Sequence, residues 1–179
     1  MEAQAPFARL LIVDGHAYAY RAFHAIRELN APDGSPTNAI YGFIKMFSNM
    51  EATLQPTHHC VVWDGGLSVE RMEALPEYKS QRPPMPDDLD RQMPEIESYL
   101  EAARVPSFVR EGVEADDWIA SLAHGAERSG TDVVIASADK DFLQLVSPRI
   151  GLLNPNNFIA VRVNFSEQTF LQRHFKPGR

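Results

Sequence analysis

Cysteine is nearly absent. Cys60 stands alone among 179 residues, which excludes an internal disulfide framework and makes a reducing, cytoplasmic setting the expectation. No apolar run approaches the roughly 18 residues of a membrane span. The opening Met1-Glu2-Ala3-Gln4-Ala5-Pro6 is acidic rather than basic, so no signal peptide is expected there. No repeat or low-complexity tract is visible. No glycine-rich loop follows an apolar run, so neither a dinucleotide site nor a P-loop is supported. His58-His59-Cys60 lacks a second ligand pair at zinc spacing and reads as the polar start of a buried strand, with Cys60 in the core. Cations are also short, 17 Lys+Arg against 24 Asp+Glu for a net charge of −7, whereas a nucleic-acid binder is usually basic. What remains is ordinary: 44% hydrophobic and 23% charged residues suffice for a folded domain with a buried core.

Three continuous apolar runs have the look of buried parallel strands. They are Leu10 to Val13, ending at Asp14-Gly15; Cys60 to Trp63, ending at Asp64-Gly65-Gly66; and Val133 to Ala136, running into Ser137-Ala138-Asp139. Val105 to Val109 is a shorter fourth candidate. Between them, Ile40, Phe43, Phe47, Met50 and Leu54 predict a helix over about 37–54. Leu89, Met93, Ile96, Leu100 and Ala103 predict another over about 87–104, kinked or split by Pro94. Trp118, Ile119, Leu122 and Ala126 predict a third over about 115–128, followed by Gly130. A further helix is expected over about 166–174. Alternating strands and helices imply an α/β fold with a mainly parallel central sheet flanked by helices and right-handed crossovers. Residues 65–86 break the pattern. They lack an apolar period, hold four of the 13 prolines and are long for a compact connection, as functional segments often are.

The acids are placed unevenly. Asp14, Asp64 and Asp139 each follow an apolar run, Asp141 comes two residues after Asp139, and Glu114, Asp116 and Asp117 precede or open the Trp118 helix. In an open α/β sheet, sites form beyond the carboxyl ends of the strands, where all seven can converge. Taking seven from the 24 acids leaves 17, the number of basic residues, so the net charge equals the content of this proposed site. Such carboxylates repel one another, and a hard divalent cation relieves that. Carboxylates and water are the expected ligands of Mg²⁺ or Mn²⁺. Two ions about 4 Å apart suit phosphodiester hydrolysis. Simpler readings exist for each piece. Glu114, Asp116 and Asp117 can serve a helix start, Asp14 can be a turn residue, and Asp139 with Asp141 can form an Asx-turn. An aspartyl-phosphate phosphatase is disfavoured, because the position two after Asp14 is His16.

Basic residues gather just after Asp64. Lys79 and Arg82 are three apart, with Tyr78 beside them and Arg71 one segment earlier. Cations next to a metal site can grip a phosphodiester, and tyrosine can stack on a base. A solvated proline-rich loop is the plainer alternative.

As an ordered set these residues carry a resemblance. Asp14-Gly15-His16 with Tyr20-Arg21-Ala22-Phe23-His24, then Tyr41-Gly42-Phe43, resembles the 5′→3′ exonuclease domain of bacterial DNA polymerase I. So do the stretch from Tyr78 to Pro86, Glu114-Ala115-Asp116-Asp117 and Ala138-Asp139-Lys140-Asp141. The similarity runs from about residue 9 to about 170. The wider family is the flap endonucleases, whose N-terminal half has a PIN-like, resolvase-like fold with a helical arch insertion. The resemblance implies a first metal site at Asp14, Asp64, Glu114 and Asp116. It implies a second at Asp139 and Asp141, with Asp117 near both. Residues 65–92 would form the arch that passes the 5′ strand. Arg71, Lys79 and Arg82 would steer its phosphates beside Tyr78, and Arg21 would lie near the DNA-facing surface. The implied activity is release of nucleotides or short oligomers, dependent on Mg²⁺ or Mn²⁺, from DNA with a 5′ single-stranded end or flap, or from an RNA-primer–DNA hybrid. Primer removal and repair are the implied setting.

The chain departs from this pattern at its C-terminal side. A helix-three-turn-helix and a preceding Gly-Asp…Asp-Asn motif, which complete the duplex grip and the second metal site in the family, do not follow Asp141. One domain over 1–179, either a piece of a longer nuclease or a short stand-alone relative, is therefore expected. Trp63-Asp64-Gly65-Gly66 stands where polymerase-linked members often have Phe-Asp-Ala, which leans toward the stand-alone branch. Two alternatives remain open: a nuclease-fold DNA-binding module without turnover, and a PIN-like ribonuclease acting on single-stranded RNA.

Overall fold

The computed structural model describes residues 9–66, 83–154 and 159–161. Its strands are β1 (Arg9–Asp14), β2 (His58–Val62), β3 (Ser107–Phe108), β4 (Asp132–Ala136), β5 (Ile150–Asn154) and β6 (Ile159–Val161). They form one sheet in the order β3-β2-β1-β4-β5-β6. All pairings are parallel except β5 with β6. The helices are α1 (Gly15–Ala25), α2 (Asn38–Leu54), α3 (Asp87–Asp90), α4 (Met93–Ala102) and α5 (Ala115–Arg128), with a 3-10 helix over Lys140–Leu145. The mainly parallel sheet flanked by helices is the α/β architecture that the sequence led us to expect. Among the described residues no helix is long and apolar enough to cross a membrane.

Period-two geometry explains the continuous apolar runs, because successive side chains on a strand point to opposite faces and both faces here are covered. Leu11, Val13 and Val61 pack with Phe43, Phe47 and Met50 of α2 and with Ile96 and Leu100 of α4. Ile12, Cys60, Val62, Val133 and Ile135 pack on the other face with Ile119 and Ala123 of α5. Cys60 is buried, and burial pushes its thiol up to about 11, as suits an inert core residue. Gly42 lets α1 and α2 approach, since a Cβ there would lie 2.8 Å from the Ala22 methyl.

The three predicted helices that fall among the described residues are present, and the third matches its predicted bounds, Ala115–Arg128. The helix expected over 87–104 is split in two, and Pro94 occupies the first turn of α4, where its missing N–H costs nothing. The break is bridged by buried amides. Gln92 Nε2 donates to Asn38 Oδ1 (3.0 Å) and Asp88 O (2.7 Å), while its Oε1 accepts the Ala39 N–H at 2.8 Å. Asn38 Nδ2 donates to Phe23 O (2.8 Å) and Ile26 O (2.9 Å), closing the end of α1. The short apolar piece 105–109 yields only the two-residue edge strand β3. The helix expected over about 166–174 lies outside the described residues, as do 67–82 of the predicted arch segment; within its described parts, 65–66 and 83–92, α3 is the one complete helix.

Candidate active site at the carboxyl edge of the sheet

Strand order creates a crevice. β2 lies on one side of β1 and β4 on the other, so the chain changes direction across the sheet between β1 and β4. Beyond their carboxyl ends, a gap opens where open α/β sheets place ligands. Asp14 is the last residue of β1 and the N-cap of α1, its Oδ1 accepting the Ala17 N–H at 3.1 Å. The Ser137 hydroxyl, just past β4, donates to Asp14 Oδ2 at 2.7 Å. Ser137 Oγ also accepts the Asp139 N–H at 3.1 Å. Asp139 in turn caps the 3-10 helix, its Oδ1 accepting the Asp141 N–H at 2.8 Å. The turn roles of Asp14 and Asp139 are therefore real, and they orient the carboxylates rather than competing with a site.

Asp64 and Asp116 are brought together by two interlocked loops. The Gly65 N–H donates to Val113 O (3.1 Å), and the Gly112 N–H donates to Gly65 O (2.9 Å). A Cβ on Gly65 would lie 1.7 Å from Arg110 O, so only glycine permits this approach. The Asp64 loop thus rests on the segment that leads into α5. His16 holds it from the other side, its Nδ1 accepting the Asp64 N–H at 3.1 Å and its ring standing edge-on to Trp63 at 5.4 Å. Burial lowers the His16 pKa, against the pull of Asp64 and Glu97. That favours the neutral ring, whose Nδ1 can accept.

An open cleft of about 490 Å³ results, lined by Asp14, Asp64, Asp116 and Asp139 together with His16, Tyr20, Arg21 and His24 of α1. A second cleft of about 260 Å³ is lined by Asp116, Asp117, Asp139 and Asp141. Asp116 and Asp139 belong to both. Six of the seven predicted acids therefore share two clefts. Glu114 lines neither; it is 1% exposed at the N-cap position of α5, and its side chain does not cap the helix. The Asp14 carboxyl is held above its usual range mainly by burial. The Ser137 and Ala17 hydrogen bonds oppose this, and the charges of Asp139 and Asp64 add to it.

This donor set is all oxygen and negatively charged, the chemistry a hard divalent cation takes. The charges of Asp139 and Asp64 register at Asp14, so the three are electrostatic neighbours. Yet among the described residues no three Asp, Glu, His or Cys side chains are gathered closely enough to hold an ion as they stand. The fit is one of chemistry and placement, not of a closed coordination shell. Of the predicted DNA-contacting residues, Arg21 lies on the larger cleft, whereas Arg71, Tyr78, Lys79 and Arg82 fall outside the described residues. His16 and Ser137 were not predicted as site residues. Each is a single polar residue beside an acid, and only its distant partner reveals its role.

The fold and the acid-lined crevice define a PIN-like, resolvase-like α/β domain. Residues 9–174 match the family described as "5′-3′ exonuclease, N-terminal resolvase-like domain", and the chain belongs to that family. It is 42% identical over 148 residues to a 5′-3′ exonuclease of Aquifex aeolicus, covering 83% of this chain and 51% of that protein. It is 42% identical over 142 residues to DNA polymerase I of Bacillus caldotenax, covering 79% of this chain and 16% of that one. The chain thus spans about half the length of one curated relative and about a sixth of the other. Among solved structures, bacteriophage T5 5′-exonuclease with divalent metal ions (zinc) bound shares the fold at a TM-score of 0.65 and 24% identity, over 89% of this chain and 60% of that one.

Proposed function

We propose that this chain is the catalytic part of a metal-dependent nuclease that hydrolyses DNA phosphodiesters at 5′ ends and 5′ flaps, in primer removal and repair. The observation that carries the reading is the cleft: Asp14, Asp64, Asp116 and Asp139 come from three strand ends and a helix start and open onto one space with Arg21. The names of the relatives, a 5′-3′ exonuclease and a DNA polymerase, support the same substrate. Asp14, Asp64, Glu114 and Asp116 would hold one Mg²⁺ or Mn²⁺. Asp139 and Asp141 would hold a second, with Asp117 beside both. The sharing of Asp116 and Asp139 between adjoining clefts favours two ions. Ions held there supply Lewis-acid polarisation and neutralise developing charge on the phosphoryl group.

The chain's own groups do the rest. Arg21 grips a phosphodiester through charge-assisted hydrogen bonds. Tyr20 and His24, on the same cleft, offer aromatic faces to a base. Ser137 and Ala17 hold the Asp14 carboxylate in one orientation, and His16 holds the Asp64 loop. Arg71, Tyr78, Lys79 and Arg82, in the segment assigned to the arch, steer the 5′ strand.

The test is cleavage of a 5′-labelled flap DNA in Mg²⁺ or Mn²⁺ against EDTA, with Asp116→Asn as control. Metal-dependent cleavage is expected, reduced at least about 100-fold in the folded variant, the scale of losing one transition-state contact. Undiminished cleavage by Asp116→Asn would overturn the reading. Metal-dependent DNA binding without turnover would point instead to a binding module. Preference for an RNA 5′ end of equal length would point to a ribonuclease.

A further inference from the structure

Ser137 sits between two of the cleft's acids and is fully buried. Its hydroxyl makes two hydrogen bonds of opposite sense, donating to Asp14 Oδ2 at 2.7 Å and accepting the Asp139 N–H at 3.1 Å. A hydroxyl has one proton and two lone pairs, so a single oxygen can serve both. The bonds cross the gap between the ends of β1 and β4, the two strands that flank the crevice. On one side, Asp14 has each carboxylate oxygen fixed by a separate donor, Ala17 N–H and Ser137 Oγ–H. On the other, the Asp139 backbone is anchored before its own side chain turns to the Asp141 N–H. Both acids line the larger cleft.

We propose that Ser137 is a positioning residue whose hydroxyl sets the spacing of Asp14 and Asp139 and thereby the affinity of the cleft for divalent cations. This rests on the metal-site reading above. Hydrogen-bonding partners behind metal-binding side chains typically govern about 10–100-fold in metal affinity or activity. A residue that merely fills space would be replaced well by alanine, which lacks only the oxygen.

Mn²⁺ binding, followed by electron paramagnetic resonance without DNA, separates these roles in the parent, Ser137→Ala, Ser137→Thr and Asp14→Asn. The folded state of each is checked by circular dichroism in EDTA at the assay temperature. Ser137→Ala is expected to stay folded and bind Mn²⁺ about 10-fold more weakly or worse. Ser137→Thr, which keeps the hydroxyl, should return most of the lost affinity. Equal affinity in Ser137→Ala and the parent overturns the proposal, and if Asp14→Asn has lost binding the metal-site reading survives it. Weak binding by a folded Ser137→Thr also overturns it, because the hydroxyl is then not the cause. Should the extra methyl unfold the protein at this enclosed position, the comparison of alanine with the parent decides alone. A parent that binds no Mn²⁺ overturns both readings.

Discussion

Asp14 shows how one side chain carries opposed demands. Burial and the neighbouring Asp139 and Asp64 charges raise its pKa, while two hydrogen bonds lower it. Desolvation wins, so in the metal-free protein ionised Asp14 weakens the fold. Between the ordinary carboxylate value of 3.8 and the raised folded value, the unfolded chain releases a proton that the folded chain keeps. Stability from this group is therefore present at low pH and lost as pH climbs through that window. Asp14→Asn in EDTA should consequently melt higher than the parent at neutral pH, and the difference should shrink as pH falls toward 3.8. Melting curves across pH check it; a difference that does not change with pH would refute it. None of this was readable from the residue alone. The sequence marked Asp14 as an acid at a strand end, and only its burial in the assembled fold, with the charges of Asp139 and Asp64 brought near it, explains its raised pKa.

At the level of elements, legibility followed locality. α2 and α5 announce themselves through apolar residues at helical spacing, and the Pro94 break is a property of one ring. α1 was not predicted, because its buried face is Gly15, Tyr18, Ala19 and Ala22, small or mixed residues without an apolar stripe. β5 was missed as well: Gly151 interrupts its short apolar run, and glycine weakens a strand signal. The junction that matters most is loop on loop, between Gly65 and residues 110–113. Gly65→Ala puts a methyl against the Arg110 carbonyl backbone, which cannot swing away as a side chain can. The expected cost is about 1–3 kcal/mol, the usual scale of overpacking, read as a lower urea midpoint. Cleavage should fall as well, since the same shift moves Asp64 from Asp116. An unchanged midpoint would show that the loops yield freely.

For the molecule as a whole, charge and architecture are one subject. The net charge of −7 equals the seven acids first singled out, and six of them line two adjoining clefts. Six acids on two adjoining clefts gather negative charge where cations would relieve it. Mg²⁺ at about 100 times its dissociation constant should add roughly 2.7 kcal/mol. For a domain of this size that raises the melting temperature by about 5–10 °C. EDTA should reverse the shift, and a scan with no shift would argue against metal binding at the clefts. The central strands, their terminal acids and the main helices follow from local pattern, because apolar runs and helical spacing act over a few residues. Which acids share a cleft, and which polar groups hold them, depends on strand order. Ser137 meets Asp14 across 123 residues and His16 meets Asp64 across 48. Contacts of that span leave no periodic trace in a sequence and exist only once the sheet has assembled.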